Sequence, residues 1–450
     1  MFDLGIIGSG PAGYTSAIRA SQLGLSVVLF EKEHSGGTCL NKGCIPTKAI
    51  LHSAGLFDEI KLFQKNGISV ENPGFDYSLI KQKQVKTVEK IRKSLTKLIL
   101  DYGIKIVEGE AVIKASDLIS SNGEDFECKN IIIATGSKPN KFKFNGNYDE
   151  DFVLTSDDIL NLDSLPDNIL IVGSGAIGIE WARIFTMLNK KARIVELAEK
   201  LIPIADSEVS ERAGRIFKRN KVEYYTSTTI EKIEGKIVTL SNGTEFETEK
   251  ILLAAGRQAV MPKIENCNIE IDRYIKVDGN FETSQKGIFA IGDVNGISML
   301  AHSASNQAVQ VIDYIINSAP CKFDRQLVPS VIYGSPEIAW AGETEEGLIN
   351  KNTEYKKSLF LTAGLGKAQA DDKIDGFIKL LSADDKIIGV HIVGEEASAL
   401  LQQVLIMMQE GISVKSASKI IFPHPTYSEG VLEALEGLHG LSINSPKVKG

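Results

Sequence analysis

Two pairs of residues in this chain could do redox and proton chemistry: Cys39 with Cys44, and His424 with Glu429. The cysteines lie in Gly36-Gly37-Thr38-Cys39-Leu40-Asn41-Lys42-Gly43-Cys44-Ile45-Pro46-Thr47-Lys48. A dithiol that closes to a disulfide gives up two electrons, and takes them back when it opens. On a regular α-helix, residues i and i+5 lie about 8.6 Å apart at Cα. A disulfide tolerates roughly 4.4–6.8 Å. The two cysteines therefore bond only if the segment departs from helix, and Gly43 supplies that freedom. Spacing alone leaves two readings open, a redox pair or two independent thiols. His424 stands between Pro423 and Pro425, which hold its backbone extended. A carboxylate bonded to one imidazole nitrogen fixes the tautomer and raises basicity at the other. That arrangement suits deprotonation of a thiol. By its place near the chain end alone, His424 reads as an ordinary surface histidine.

The elements that must position these groups begin at residue 2. Phe2–Ile7 reads as a buried strand, followed by Gly8-Ser9-Gly10-Pro11-Ala12-Gly13 and an amphipathic helix to Leu23. A strand at Ser26–Phe30 ends on Glu31, eighteen residues after Gly13. Gly8 makes a tight turn, Gly10 lets backbone approach a pyrophosphate, and Gly13 lets helix pack on strand. The helix N-terminus faces the phosphates, and Glu31 is placed to accept from ribose hydroxyls. Further on, helices are predicted at Ala49–Phe63 and Leu79–Asp101, the second with a lysine-rich, solvated outer face. Strands follow at Ile104–Val107, Ala111–Lys114 and Asn130–Ala134. The last closes on Thr135-Gly136, which either approaches a bound nucleotide or makes a turn.

The whole unit then repeats. A strand at Asn168–Val172 runs into Gly173-Ser174-Gly175-Ala176-Ile177-Gly178, 165 residues after the first motif. A helix runs through Leu188 and a strand through Ala192–Val195, and Glu196 again stands eighteen residues after the last glycine. Two dinucleotide units on one chain imply two cofactors that exchange electrons. Glu196, with no arginine in Leu197–Glu199, favours a free ribose 2′-hydroxyl and hence NAD over NADP. Lys250–Ala254 repeats the earlier strand and closes on Ala255-Gly256-Arg257. Asp293, after a strand at Ile288–Ile291, is placed for a ribitol or ribose hydroxyl, or for a turn. A helix follows from Leu300 to Ile316. From Leu327, strands at Ser330–Tyr333, Ile338–Trp340, Tyr355–Phe360, Phe377–Leu381 and Ile387–Val393 precede helices at Ala397–Gln409 and Val414–Lys419. This is an α+β domain with an antiparallel sheet, whose apolar outer strands would suit a dimer contact. The expected fold class is α/β, with two Rossmann-like dinucleotide-binding domains and a C-terminal α+β domain.

A length of 450 residues accommodates about three domains of ~150 residues each. A formal charge of −8 argues against nucleic acid or an anionic membrane as the main partner. Five cysteines are too few and too scattered for a secreted disulfide framework, so Cys128, Cys267 and Cys321 read as structural thiols. The strand at residue 2 leaves no room for a secretion signal, and no run of eighteen apolar residues appears. A cytoplasmic protein with no bound metal is expected.

Taken together, these motifs resemble the FAD-dependent pyridine nucleotide–disulfide oxidoreductases, class I, and within them the members that oxidise dihydrolipoamide. The resemblance runs from Phe2 to about Gly440. It is carried by GSGPAG with Glu31, GGTCLNKGCIPTK, GSGAIGIE with Glu196, and HPTYSE, in that order. ATG at Ala134–Gly136, IGD at Ile291–Asp293, LAH at Leu300–His302 and PSVIYGSPEIAWAGETEE at Pro329–Glu346 support it. It implies an FAD-binding domain over 1–140, an NAD-binding domain over 141–264, a central domain over 265–326 that completes the FAD site, and a dimerisation domain over 327–450. FAD would lie against Gly8, Gly10, Pro11, Ala12, Gly13, Glu31, Lys32, Gly37, Thr38, Cys39, Lys48, Ala111, Ala134, Thr135, Gly136, Asp293 and Ala301. NAD would lie against Gly173, Gly175, Ala176, Ile177, Gly178, Glu180, Glu196, Ile230, Ala255, Gly256 and Arg257.

The resemblance also implies a Cys39–Cys44 redox disulfide, with Cys39 the interchange thiol and Cys44 facing the flavin. Lys48 would pair with Glu180. His424, oriented by Glu429, would act as base in the other subunit of a homodimer. The implied activity is oxidation of protein-bound dihydrolipoamide to lipoamide with reduction of NAD⁺. Partners would be the lipoyl domains of a 2-oxoacid dehydrogenase acyltransferase or the glycine cleavage H protein. Two other readings are an NADPH-dependent reductase of the glutathione type and a non-catalytic flavin-binding protein. Glu196 opposes the first, and retention of both cysteines and the His–Glu pair opposes the second. Two departures stand out: Phe422 where such dehydrogenases usually carry a second histidine, and Gln258-Ala259 after Arg257.

Overall fold

The computed structural model describes residues 1–63 and 65–445. Its first sheet has eight strands, with Phe2–Ile7 parallel to Val27–Glu31 on one side and to Glu124–Ile133 on the other. Glu124–Ile133 does two jobs. Its first half pairs antiparallel with Leu118–Ser121 and its second half runs beside Phe2–Ile7. The expected strand at Asn130–Ala134 is thus only the apolar end of a longer one. Helix Pro11–Gln22 covers this sheet together with helix Ala301–Asn317, and Thr15 and Arg19 reach Ser305 and Asp313 across the contact.

The second unit is a five-stranded parallel sheet in the order Val222–Tyr225, Lys191–Val195, Asn168–Val172, Lys250–Leu253, Val153–Thr155. A smaller sheet, Gly146–Asn147 with Ile230–Glu234, Ile237–Leu240 and Glu245–Glu247, extends it. Helix Ser207–Arg219, not anticipated from sequence, buries Val209, Ala213, Ile216 and Phe217 between charged residues. Asp206 caps its N-terminus by accepting from the Glu208 N–H. A ribbon of Ser137–Pro139 against Arg257–Ala259 joins the first two units. The NAD segment expected to reach 264 ends earlier, because Lys263–Ile264 already pairs with Ala111–Ala115 in the first sheet.

The C-terminal domain is an antiparallel sheet in the order Ser330–Ile332, Glu337–Gly342, Lys386–Gly394, Phe377–Ala383, Lys356–Leu361. Its outer strand Lys356–Leu361 exposes Lys356 and Lys357 and is not the apolar edge expected. More exposed apolar side chains lie at Ile421 (94% exposed) beside the His424 segment and at Ile443 (80%). Among the described residues no helix is long and apolar enough to cross a membrane.

One core cluster matters most for the site. It runs from Ile50, Leu51 and Ala54 on the cysteine helix through Trp181 and Phe185 to Ile332, Ile338 and Phe377. The redox segment, the second dinucleotide unit and the C-terminal sheet are therefore packed as one body.

Candidate active site

Both glycine turns have the same construction. Gly8 has φ +98°, and a Cβ there would stand 2.4 Å from the Ala134 carbonyl oxygen; Gly173 has φ +105°, with 2.7 Å to the Ala254 oxygen. A Cβ on Gly13 would stand 1.8 Å from the Gly8 oxygen, and one on Gly178 2.0 Å from the Gly173 oxygen. Only glycine lets the helix sit this close to the turn. The acids repeat as well. Glu31 accepts from the Ser9 N–H (2.9 Å) and hydroxyl (2.6 Å) and from the Glu33 N–H. Glu196 accepts from the Ser174 N–H (2.8 Å) and hydroxyl (2.7 Å) and from the Ala198 N–H. Each carboxylate is thereby held at the strand end beside its helix N-terminus. Nothing lies within 4 Å of a Cβ built on Gly175, and only the Gly37 Cα does so at Gly10. Bare backbone, a helix N-terminus and a fixed carboxylate form a cradle that fits a dinucleotide at each turn.

The cysteine segment is tied to the first of these turns. The Gly36 N–H donates to the Ser9 carbonyl at 2.9 Å. A Cβ on Gly37 would stand 2.6 Å from the Gly10 Cα, so the two loops touch backbone to backbone. Helix Gly37–Lys42 then stops at Gly43 (φ −144°, ψ −109°), and a new helix, Cys44–Phe63, begins. The departure from helix that a Cys39–Cys44 contact requires falls at Gly43. The second helix starts before the expected Ala49 because Pro46 sits in its first turn, where the missing N–H is harmless.

Cys39 and Cys44 are thiols here, on either side of the break between the two helices. The neighbouring Cys39 thiol and the Lys48 charge lower the Cys44 pKa to about 7 against burial and the Glu180 carboxylate. The Cys39 thiol is pushed up by its Cys44 neighbour and by burial. If either sulfur carries charge, it is Cys44.

Lys48 Nζ donates to both carboxylate oxygens of Glu180, each at 2.7 Å. The pair links the cysteine helix to helix Ala176–Met187 of the second unit. Glu180 is 3% exposed, and burial raises its pKa, opposed by Lys48. Replacing Lys48 by methionine should destabilise the fold by about 2–3 kcal/mol, read from denaturant midpoints. This is below the fully buried range because the ammonium is partly exposed.

A third cluster closes the first unit. Ser137 donates to Asp293, and Arg257 Nε donates to the Ser137 hydroxyl at 2.8 Å. Burial raises the Asp293 pKa, opposed by Ser137 and Arg257. Arg257, expected against NAD, thus turns its guanidinium to the Asp293 corner. Ile230, also expected there, is a strand residue with its side chain in an apolar cluster. Ala111 is buried beside the first unit, while Lys32 and Thr38 are exposed and Ala301 opens its helix. Ala255 and Gly256 are bonded to Asn140 through their carbonyls.

His424 Nδ1 lies 2.8 Å from Glu429 Oε1, and Glu429 Oε2 accepts from the Thr426 N–H. The imidazole is 76% exposed, so Nε2 is open to an incoming group. Sequence reasoning missed Ser9 and Ser174, which tie down the two acids and were readable as the second residue of each glycine motif. It also missed Tyr333 and Ser137, whose roles rest on contacts far along the chain.

A family model described as pyridine nucleotide-disulphide oxidoreductase matches residues 2–308, and one for the dimerisation domain of that family matches 328–435. A dihydrolipoyl dehydrogenase of Bacillus subtilis is 32% identical, over 98% of this chain and 99% of its own. One from Trypanosoma brucei brucei is 33% identical, over 98% of each. Among solved structures, LpdA from Mycobacterium tuberculosis superposes with a TM-score of 0.89 at 21% identity, covering 97% of this chain and 99% of that one. The HOCl-induced flavoprotein disulfide reductase RclA from Escherichia coli gives 0.86 at 23%, covering 96% and 99%. At these identities the solved structures speak to the fold alone.

Proposed function

This chain belongs to the pyridine nucleotide-disulphide oxidoreductase family, an FAD- and NAD-using enzyme with that family's dimerisation domain, and from that premise we propose that it oxidises protein-bound dihydrolipoamide and reduces NAD⁺. The observation that carries this reading is the segment that holds Cys39 and Cys44, hydrogen-bonded through Gly36 to the first dinucleotide turn and joined to the second unit by Lys48–Glu180. Near-full-length relatives named dihydrolipoyl dehydrogenase support the substrate. The lipoyl group would arrive on the acyltransferase of a 2-oxoacid dehydrogenase complex or on a glycine cleavage H protein.

In the oxidised enzyme Cys39 and Cys44 would form a disulfide, the two thiols of this structure being its reduced form. The partner subunit's His424, held by its Glu429, takes a proton from one substrate thiol. That thiolate attacks Cys39 Sγ; the Cys39–Cys44 bond breaks and Cys44 leaves as a thiolate. The second substrate thiol displaces Cys39, releasing the cyclic disulfide with both electrons left on the enzyme's sulfurs. Leaving is favoured because Cys44 is the more acidic thiol. FAD held at the first turn would supply the two-electron chemistry that links these sulfurs to a nicotinamide held at the second turn. The FAD residues would be those of the first turn with Glu31, Lys48 and Asp293. The NAD residues would be those of the second turn with Glu196, whose negative charge disfavours a 2′-phosphate.

Turnover with NAD⁺ and dihydrolipoamide is expected to exceed turnover with NADPH and glutathione disulfide at least a hundredfold, on the order of one well-placed interaction lost in the transition state. Reaction with the second pair only would refute the assignment.

A further inference from the structure

Tyr333, from the C-terminal domain, touches both members of the Lys48–Glu180 pair. Its ring lies over the Lys48 ammonium, 4.8 Å from Nζ to centroid. Its backbone N–H donates to Glu180 Oε1 at 3.1 Å. The Lys48 side chain is 33% exposed, so burial alone does not fix its ammonium. Glu180 anchors it from one side and the aromatic face covers another. An ammonium free to swing into water would be screened from the nearby sulfur. The charged or titratable groups around this point are Cys39 and Cys44 on the cysteine segment, Glu180 on the second glycine helix and Glu337 beyond Tyr333. Cys44 and Lys48 stand four residues apart on helix Cys44–Phe63, one turn along the same face; resting on the redox role proposed for Cys39 and Cys44, we propose that Tyr333 is a positioning residue that holds the Lys48 ammonium toward Cys44.

The test is the pH dependence of iodoacetamide labelling of the reduced holoenzyme. Trypsin cuts after Lys42, so Cys39 and Cys44 fall on separate peptides and each is scored by mass spectrometry. In the parent, Cys44 should label with a midpoint near pH 7. In Y333L the midpoint should rise by roughly half a pH unit, the scale of one cation–π contact. Y333F keeps the ring and should match the parent. Should Y333L lose FAD, Y333S removes the ring without a bulky replacement and serves instead. A ring-less variant with the parent midpoint overturns the proposal, as does a Y333F shift equal to that of Y333L. A parent Cys44 that titrates as an ordinary thiol, near pH 8.5, defeats the underlying redox reading instead.

Discussion

Cys44→Ser should abolish dithiol oxidation while the protein keeps FAD. Serine occupies almost the same volume, and none of the contacts that tie the segment down uses the Cys44 sulfur. Gly36 holds Ser9, Asn41 Nδ2 holds the Gly37 carbonyl at 2.9 Å, and Lys48 holds Glu180. What serine cannot do is form a disulfide or leave as a stabilised anion. Cys39 alone is a free thiol with no disulfide to open, so it can neither accept the substrate's electron pair nor pass one on. The assay is steady-state NADH formation, with flavin absorbance as the check on cofactor content. Undiminished turnover would sink the mechanism.

His424→Ala should fold, dimerise and bind FAD, yet turn over about 10²–10⁴-fold more slowly, the usual worth of a positioned general base. The imidazole is 76% exposed and its hydrogen-bond partner is Glu429. Little stability is therefore lost with it. Glu429 keeps the Thr426 N–H as a partner, so its carboxylate is not left bare. If the lost function is proton removal, raising the pH toward the substrate thiol's own pKa should recover part of the rate. Parent-like turnover at neutral pH would exclude His424 as the base.

The parts of the site legible in the sequence are those whose chemistry is local. Gly8, Gly13 and Glu31 sit within one strand–helix–strand unit, and their repetition as Gly173, Gly178 and Glu196 made the second unit readable too. His424 and Glu429 are five residues apart, so one turn of backbone brings them together. The distance argument for Cys39 and Cys44 located the break in the helix, and the structure puts it at Gly43. Pairing Lys48 with Glu180, 132 residues away, needed the family resemblance, since no local pattern links them. Tyr333 was passed over because its role depends on how the C-terminal sheet docks on the second unit. Arg257 follows a glycine turn and was read as part of the nucleotide site; its contact with Ser137, made across the ribbon with Ser137–Pro139, has no local pattern in the sequence. Helix Ser207–Arg219 was legible and was passed over: Val209, Ala213, Ile216 and Phe217 recur at helical spacing behind the Asp206 cap.

The central claim is that electrons pass from a dithiol to flavin through Cys39 and Cys44. Anaerobic titration of the oxidised enzyme with dihydrolipoamide, followed by visible absorbance, tests it most directly. A thiolate lying against oxidised flavin gives a long-wavelength charge-transfer band. That band should grow to a maximum at one dithiol per subunit, and fade as pH falls through about 7, where Cys44 takes up its proton. Bleaching of the flavin with no such band at any dose would contradict the relay.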